Sequence, residues 1–155
     1  MSEPELQPIT PAEILPGTSL GKALLALNNE HARELSWLEP ERLQHLVEQA
    51  FLAQRIGDID AFLLAFDQSA DYDSPNFLWF RARYPRFAYV DRIVVASSAR
   101  GRGCARRLYD DLFGARAAAG DRGLSVNNSF RHCERSEAIQ SPSAERFWIA
   151  SLRSQ

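Results

Sequence analysis

Between Tyr89 and Leu112 the chain reads YVDRIVVASSARGRGCARRLYDDL, an apolar strand entering a loop with Gly101 and Gly103, from which a helix leaves. This order constrains the fold more than any other stretch. Glycines let backbone N–H groups approach a ligand closely, and the helix N-terminus adds about half a positive charge. Successive N–H groups in such a turn form a concave anion site. Arg100, Arg102, Arg106 and Arg107 surround it with cations, so the segment reads as a cradle for a pyrophosphate.

The flanking sequence sets the rest of the architecture. Four prolines, Pro4, Pro8, Pro11 and Pro16, leave room before residue 19 for little more than an edge strand at Leu6–Ile9. Leu24, Leu27, His31, Leu35 and Leu38 then recur at helical spacing. Pro40 opens a second apolar stripe through Leu43, Leu46, Val47 and Ala50. Phe51 to Ile56 reads as a strand, Gly57-Asp58 as a turn, and IDAFLLAF (Ile59 to Phe66) as a strand buried on both faces. A polar loop, Asp67 to Asn76, precedes the aromatic run Phe77 to Phe80 and the basic run Arg81 to Arg86. The clearest strand is Phe87 to Ala96. Ser97 and Ser98 are suitable helix caps, and Ala105, Leu108, Tyr109 and Leu112 form one face of a helix ended by Gly120. Leu124 to Asn127 is a last short strand. The expected class is an α/β (α+β) domain with a mixed, mainly antiparallel sheet flanked by helices.

Composition narrows the function classes. The 155 residues are 45% hydrophobic and 25% charged, which excludes collagen, a disulfide scaffold and a disordered polymer. No apolar run approaches the roughly 20 residues of a membrane span. The start, Met-Ser-Glu-Pro-Glu-Leu, is too acidic for a secretory signal. Cys104 and Cys133 make neither a disulfide framework nor a metal-spacing pattern, so a reducing cytoplasm and no metal are expected. The net charge of -2 hides a division, because residues 1–80 carry 13 acidic and 4 basic side chains and residues 81–155 carry 7 and 14. Arginine accounts for 17 of the 18 basic residues, with Lys22 the exception. Arginine is the better fork for phosphate and carboxylate.

The glycine loop departs from two common phosphate motifs. A dinucleotide fingerprint would need a third glycine where Arg106 stands, and a P-loop would need Gly-Lys-Ser/Thr. The spacing Arg100-x-x-Gly103-x-Ala105 after IVVA instead resembles the acetyl-CoA signature Arg/Gln-x-x-Gly-x-Gly/Ala of the GNAT (Gcn5-related) N-acetyltransferase superfamily, in a bacterial branch. The resemblance covers roughly residues 6 to 127, and the two helices before the strands agree with it. It implies acetyl-CoA as acyl donor. Backbone groups of Ile93, Val94 and Val95 would pair with the pantetheine arm, and N–H groups from Arg100 through Gly101, Arg102, Gly103 and Cys104 to Ala105 would hold the pyrophosphate. Asn127 completes the implied cofactor-binding set.

Acetyl transfer to an amine needs a group to take the amine proton. By strict alternation Tyr89, Asp91, Ile93 and Val95 share one face of their strand. The family often places an acid there, so Asp91 is the candidate base, with a salt bridge to Arg92 or a neighbouring arginine as its alternative role. Tyr89 is a second candidate whose alternative is packing. Cys104 lies near a helix N-terminus that would lower its pKa, but no base accompanies it. His31 and His45 read as helix-face residues. The loop of Asp67, Asp71, Tyr72, Asp73, Pro75 and Asn76 offers a place for a cationic acceptor, with a solvated acidic loop as the favoured reading.

The resemblance stops after Asn127, where the family continues with a helix carrying a tyrosine acid and two more strands. Here Arg131 to Gln140 (RHCERSEAIQ) resembles a translated dispersed repeat, and no tyrosine follows Tyr109. Ala144-x-x-Phe147-Trp148 has the spacing of the family's helix, with an indole in place of the phenol. The expected organisation is a GNAT-like acyl-CoA-binding domain over 1–127 and a non-native-looking tail over 128–155, the C-terminal arm truncated or replaced. Such a domain would expose a sheet edge and self-associate. Three functions follow: an N-acetyltransferase acting on a small-molecule or peptide amine, with a homodimer compatible; a degenerate CoA-binding domain with little catalysis; and, well behind, a nucleic-acid-binding module using the basic aromatic stretch Phe77 to Arg92.

Overall fold

The computed structural model describes residues 4–118 and, for its backbone alone, the strand at 125–128. Expectations placed on Gly120 and on residues 129–155, including the repeat-like segment and the exposed C-terminal arm, lie outside the described residues. Strand β1 (Leu6–Pro8) is followed by a 3-10 turn (Pro11–Ile14) and helices α1 (Ser19–Glu30), α2 (Ala32–Leu35) and α3 (Pro40–Gln49). Strands β2 (Leu52–Ile56) and β3 (Ala61–Asp67), helix α4 (Pro75–Arg83), strand β4 (Phe87–Val95), helix α5 (Cys104–Ala118) and strand β5 (Ser125–Asn128) complete the order. The strands form one sheet in the order β1-β2-β3-β4-β5. Its first four members are antiparallel neighbours, and β5 lies parallel to β4.

The two faces of the sheet are packed differently. Phe62, Leu64, Phe66, Phe87, Tyr89 and Val94 meet Leu24, Leu27, Leu43, Leu46, Phe77 and Phe80 from α1, α3 and α4. On the other face Ala61, Ala65 and Ala88 are small, so α5 settles close and buries Ala105, Leu108, Tyr109 and Leu112 against Leu63, Val90 and Ile93. The six apolar residues from Ala61 to Phe66 are fully buried, as their unbroken hydrophobicity requires.

Three local features differ from the sequence reading. The stripe from Leu24 to Leu38 is not one helix: α1 stops at Glu30, where the His31 N–H caps the carbonyls of Asn28 and Asn29. Ser36 then takes φ +80°, a region that favours glycine, and Leu38 reaches the core from extended chain. Asn28 Nδ2 donates to the Ser36 carbonyl at 3.0 Å, and Asn29 clamps Leu38 through its carbonyl and its N–H. Second, the aromatic run forms α4, started by Pro75 at its first turn, with Phe77 and Phe80 one turn apart and buried. Four apolar residues are too few for a period to be read. Third, Ser97 and Ser98 enter a 3-10 turn, and α5 begins only at Cys104.

The register of β3 and β4 shifts in mid-sheet. Leu64 lies opposite Arg92 but Ala65 lies opposite Val90, so Asp91 is an extra residue, a β-bulge on β4. The bulge overturns strict alternation. Tyr89 and Asp91 stay on the α1–α4 face, whereas Ile93 packs on the α5 face with Val95 beside it.

One polar pair under α5 is imperfectly satisfied. The Gln54 amide donates to Asp111, yet Gln54 Oε1 and Asp111 Oδ2 are both buried without a partner. Burial pushes the Asp111 carboxyl above its ordinary range, the Gln54 bond opposing this only in part. A raised folded-state pKa gives stability that is full below the unfolded pKa and is lost as pH rises through the folded one. Asp111→Asn, which can donate to Gln54 Oε1, should therefore stabilise the protein at neutral pH by on the order of 1 kcal/mol. It should also flatten the fall of stability above pH 4. Thermal melts of both proteins between pH 3 and 8 check this, and an Asn variant of equal or lower melting temperature at pH 7 would contradict it.

Candidate functional site

The end of β4 and the start of α5 build the first part of the site. At the close of the strand the Ala96 N–H donates to the Asp60 carbonyl at 2.8 Å, turning the chain out of the sheet. After the 3-10 turn, Gly101 and Gly103 both adopt φ +74°. A Cβ placed on either glycine would meet nothing within 4 Å, so the loop opens on free space. Left-handed glycines beside extended residues turn successive N–H groups to one side. The first turn of α5 adds N–H groups without intrahelical partners.

The arginines divide between this opening and other tasks. Arg100 is exposed. Arg102 Nη1 lies 3.6 Å from Asp60 Oδ2 across the β2–β3 turn. Arg106 approaches Asp110 at 3.9 Å, an exposed pair of little energetic weight. Arg107 is turned away, donating to the Pro4 carbonyl at 2.8 Å and fastening the N-terminal segment. Cys104 is buried, with Sγ 3.8 Å from the Ala99 carbonyl.

The second part is a strand edge left uncovered by the described residues. Strand β5 pairs with β4 only from Phe87 to Val90, with Asn127 opposite Tyr89. Among the described residues no strand covers that edge of Asp91 to Val95. Ile93, Val94 and Val95 thus lie between the end of the pairing and the glycine loop.

The third part is a buried polar chain: its Asp91–Arg92 salt bridge is the alternative role expected for Asp91, whereas the places of Tyr72 and Asn28 in it were not expected. Tyr72 Oη donates to Asp91 Oδ1 at 2.5 Å, and Arg92 Nε donates to Asp91 Oδ2 at 2.6 Å. Arg92 Nη1 continues to Asn28 Oδ1 at 2.7 Å. The Asp91 and Arg92 side chains are only 5% and 4% exposed, so the ion pair is sealed from water. Burial first, then the Asp91 charge and hydrogen bond, push the Tyr72 phenol well above its ordinary range. Its ring is fixed by Phe66 at 4.7 Å, Phe77 at 5.5 Å and Tyr89 at 6.4 Å between centroids. Tyr89 is accordingly held within an aromatic cluster. Two signals in the sequence point to this chain: Asn28 lies on the buried stripe of α1 with Leu24 and Leu27, and Arg92 interrupts an apolar strand. Nothing local marks Tyr72 as the partner of Asp91.

The remaining polar groups have other surroundings. His45 Nε2 lies 3.3 Å from the Asp71 carbonyl, and Gln49 Oε1 accepts from the Asp71 N–H, so α3 anchors the 67–74 loop. Among the described residues no group of three or more His, Cys, Asp or Glu is arranged to hold a metal ion. None of the described helices is long and apolar enough to cross a membrane.

No protein-family model and no curated protein sequence matches the chain. Solved structures do. A ribosomal-protein-alanine N-acetyltransferase from Brucella melitensis biovar Abortus 2308 superposes with a TM-score of 0.59 at 20% identity, covering 86% of this chain and 84% of that one. A tetramutant of a Bacillus halodurans protein superposes with a TM-score of 0.57 at 14% identity, covering 84% and 86%. At such identities the likeness speaks for the backbone, and the chain has the GNAT-like fold: a mixed, mainly antiparallel sheet with helices on both faces.

Proposed function

We propose that this chain is an N-acetyltransferase that moves an acetyl group from acetyl-CoA to an amine on a small molecule or a peptide. The observation that carries the reading is the edge of β4 beyond Val90, uncovered among the described residues, running directly into the left-handed Gly101/Gly103 loop and α5. An extended amide-bearing arm can add to such an edge through backbone hydrogen bonds, and a pyrophosphate suits a helix N-terminus behind a glycine loop. In this reading backbone groups of Ile93, Val94 and Val95 hold the pantetheine, and N–H groups from Arg100 to Ala105 hold the pyrophosphate. Asn127 borders the arm on the other strand. From Ala96 back to Asp91 the strand spans roughly 16 Å, comparable to an extended pantetheine, which sets the thioester beside the bulge.

The chemistry then falls to that neighbourhood. A neutral amine attacks the thioester carbonyl, a C–N bond forms, and the C–S bond breaks with its electron pair leaving on sulfur. Asp91 is the base on which the proton lost by nitrogen finally rests, while Tyr89 packs beside it. A second reading, a CoA-binding domain with little turnover, is favoured by the engagement of both Asp91 oxygens.

Acetyl-CoA at 100 times its dissociation constant should raise the melting temperature by roughly 5–10 °C, with thiol release when amines are added. A shift without release would select the second reading, and no shift would reject both. Gly103→Val should abolish the shift, since its side chain fills the opening where phosphate oxygens would sit. Strain at positive φ should cost the variant about 1–2 kcal/mol. A retained shift would show that the anion binds elsewhere.

A further inference from the structure

The geometry points to Tyr72 as a proton relay in this reaction: its phenol oxygen receives the amine proton while its own proton passes to Asp91 Oδ1. The inference rests on the acetyltransferase reading above and assigns a task to a residue outside the glycine loop and β4.

The Asp91 carboxylate is enclosed. Its side chain is almost wholly buried, one oxygen holds the Arg92 guanidinium, and the other holds the Tyr72 hydroxyl. An acceptor amine cannot reach either oxygen without displacing a donor. Tyr72 is partly exposed, on the 67–74 loop beside the bulge, and its hydroxyl oxygen keeps a lone pair for an incoming N–H. The ring cage of Phe66, Phe77 and Tyr89 fixes where that oxygen stands. Because the phenol is held well above its ordinary range, it stays protonated and conducts a proton rather than storing a charge.

The transfer balances. As the C–N bond forms, the N–H bond breaks and its electron pair remains on nitrogen. A new O–H bond forms at Tyr72 Oη, and the former phenol proton passes along the 2.5 Å Oη–Oδ1 hydrogen bond to Asp91. The thiolate leaves with the C–S pair and takes a proton from water. The Asp91 proton returns through Tyr72 to solvent. Arg92, backed by Asn28, is a positioning residue that keeps the carboxylate facing the phenol.

Tyr72→Phe keeps the ring in its cage and removes only the hydroxyl. Its kcat should fall on the order of 100-fold, with both KM values and the acetyl-CoA melting shift unchanged. In the unsubstituted protein kcat should depend on the deuterium content of the solvent along a curve, as two protons move together, and along a straight line in Tyr72→Phe. A variant with full kcat, or a straight line in the unsubstituted protein, overturns the relay while leaving the transferase reading intact. A protein that neither shifts with acetyl-CoA nor releases thiol overturns both. The deuterium measurement on the unsubstituted protein decides the matter even if the variant folds poorly.

Discussion

Arg92→Met should destabilise the protein by about 3–5 kcal/mol, the cost of leaving a buried charge without its partner. The guanidinium is sealed between Asp91 and Asn28, and methionine fills most of its volume while supplying none of its donors. Asp91 Oδ2 and Asn28 Oδ1 are then left dry and unpaired. Against a total of 5–15 kcal/mol for an ordinary domain, the loss is a large fraction. Urea unfolding should show a lower midpoint at an unchanged slope. Adding Asp91→Asn should restore part of the loss, because a neutral amide costs less to bury than a carboxylate. The double variant should then be more stable than the two single effects predict by 1 kcal/mol or more. A single-variant cost below about 1 kcal/mol would mean that water reaches the pair.

Phe66→Ala should cost a similar amount, about 3–5 kcal/mol, for a different reason. Phe66 is fully buried between the sheet and α4, with its ring against Tyr72 and edge-on to Phe77 at 6.3 Å. Truncation opens a cavity that rigid neighbours on three sides cannot close. The melting temperature should fall by roughly 10 °C or more, and Phe66→Leu by clearly less. Equal losses in the two variants would indicate that the ring's shape, rather than its volume, is what the pocket requires.

The parts of this fold that were legible in the sequence are those whose signal is local and repeated. The apolar run of β3, the strand-loop-helix of β4 and α5, and the buried face Ala105, Leu108, Tyr109 and Leu112 all follow from periods several residues long. The break after Glu30 was hidden because Leu35 and Leu38 keep helical spacing by coincidence, and two asparagine side chains, not a proline or glycine, turn the chain. The bulge at Asp91 leaves no trace in a one-dimensional pattern, since it depends on how β3 aligns with β4. Tyr72 belongs to a loop whose acidic composition reads as solvated, and only the packing of that loop onto α3 and β4 brings its hydroxyl to Asp91. In each case the missing information was a pairing between segments distant in the chain.

The bulge also separates what the sheet requires from what the chain carries. With residue 91 left out, Val90 and Arg92 would become neighbours opposite Ala65 and Leu64, a regular ladder with each side chain still on its present face. The sheet would close with one amino acid fewer. Asp91 is thus surplus to the architecture, and its carboxylate instead gathers Tyr72 directly and, through Arg92, Asn28.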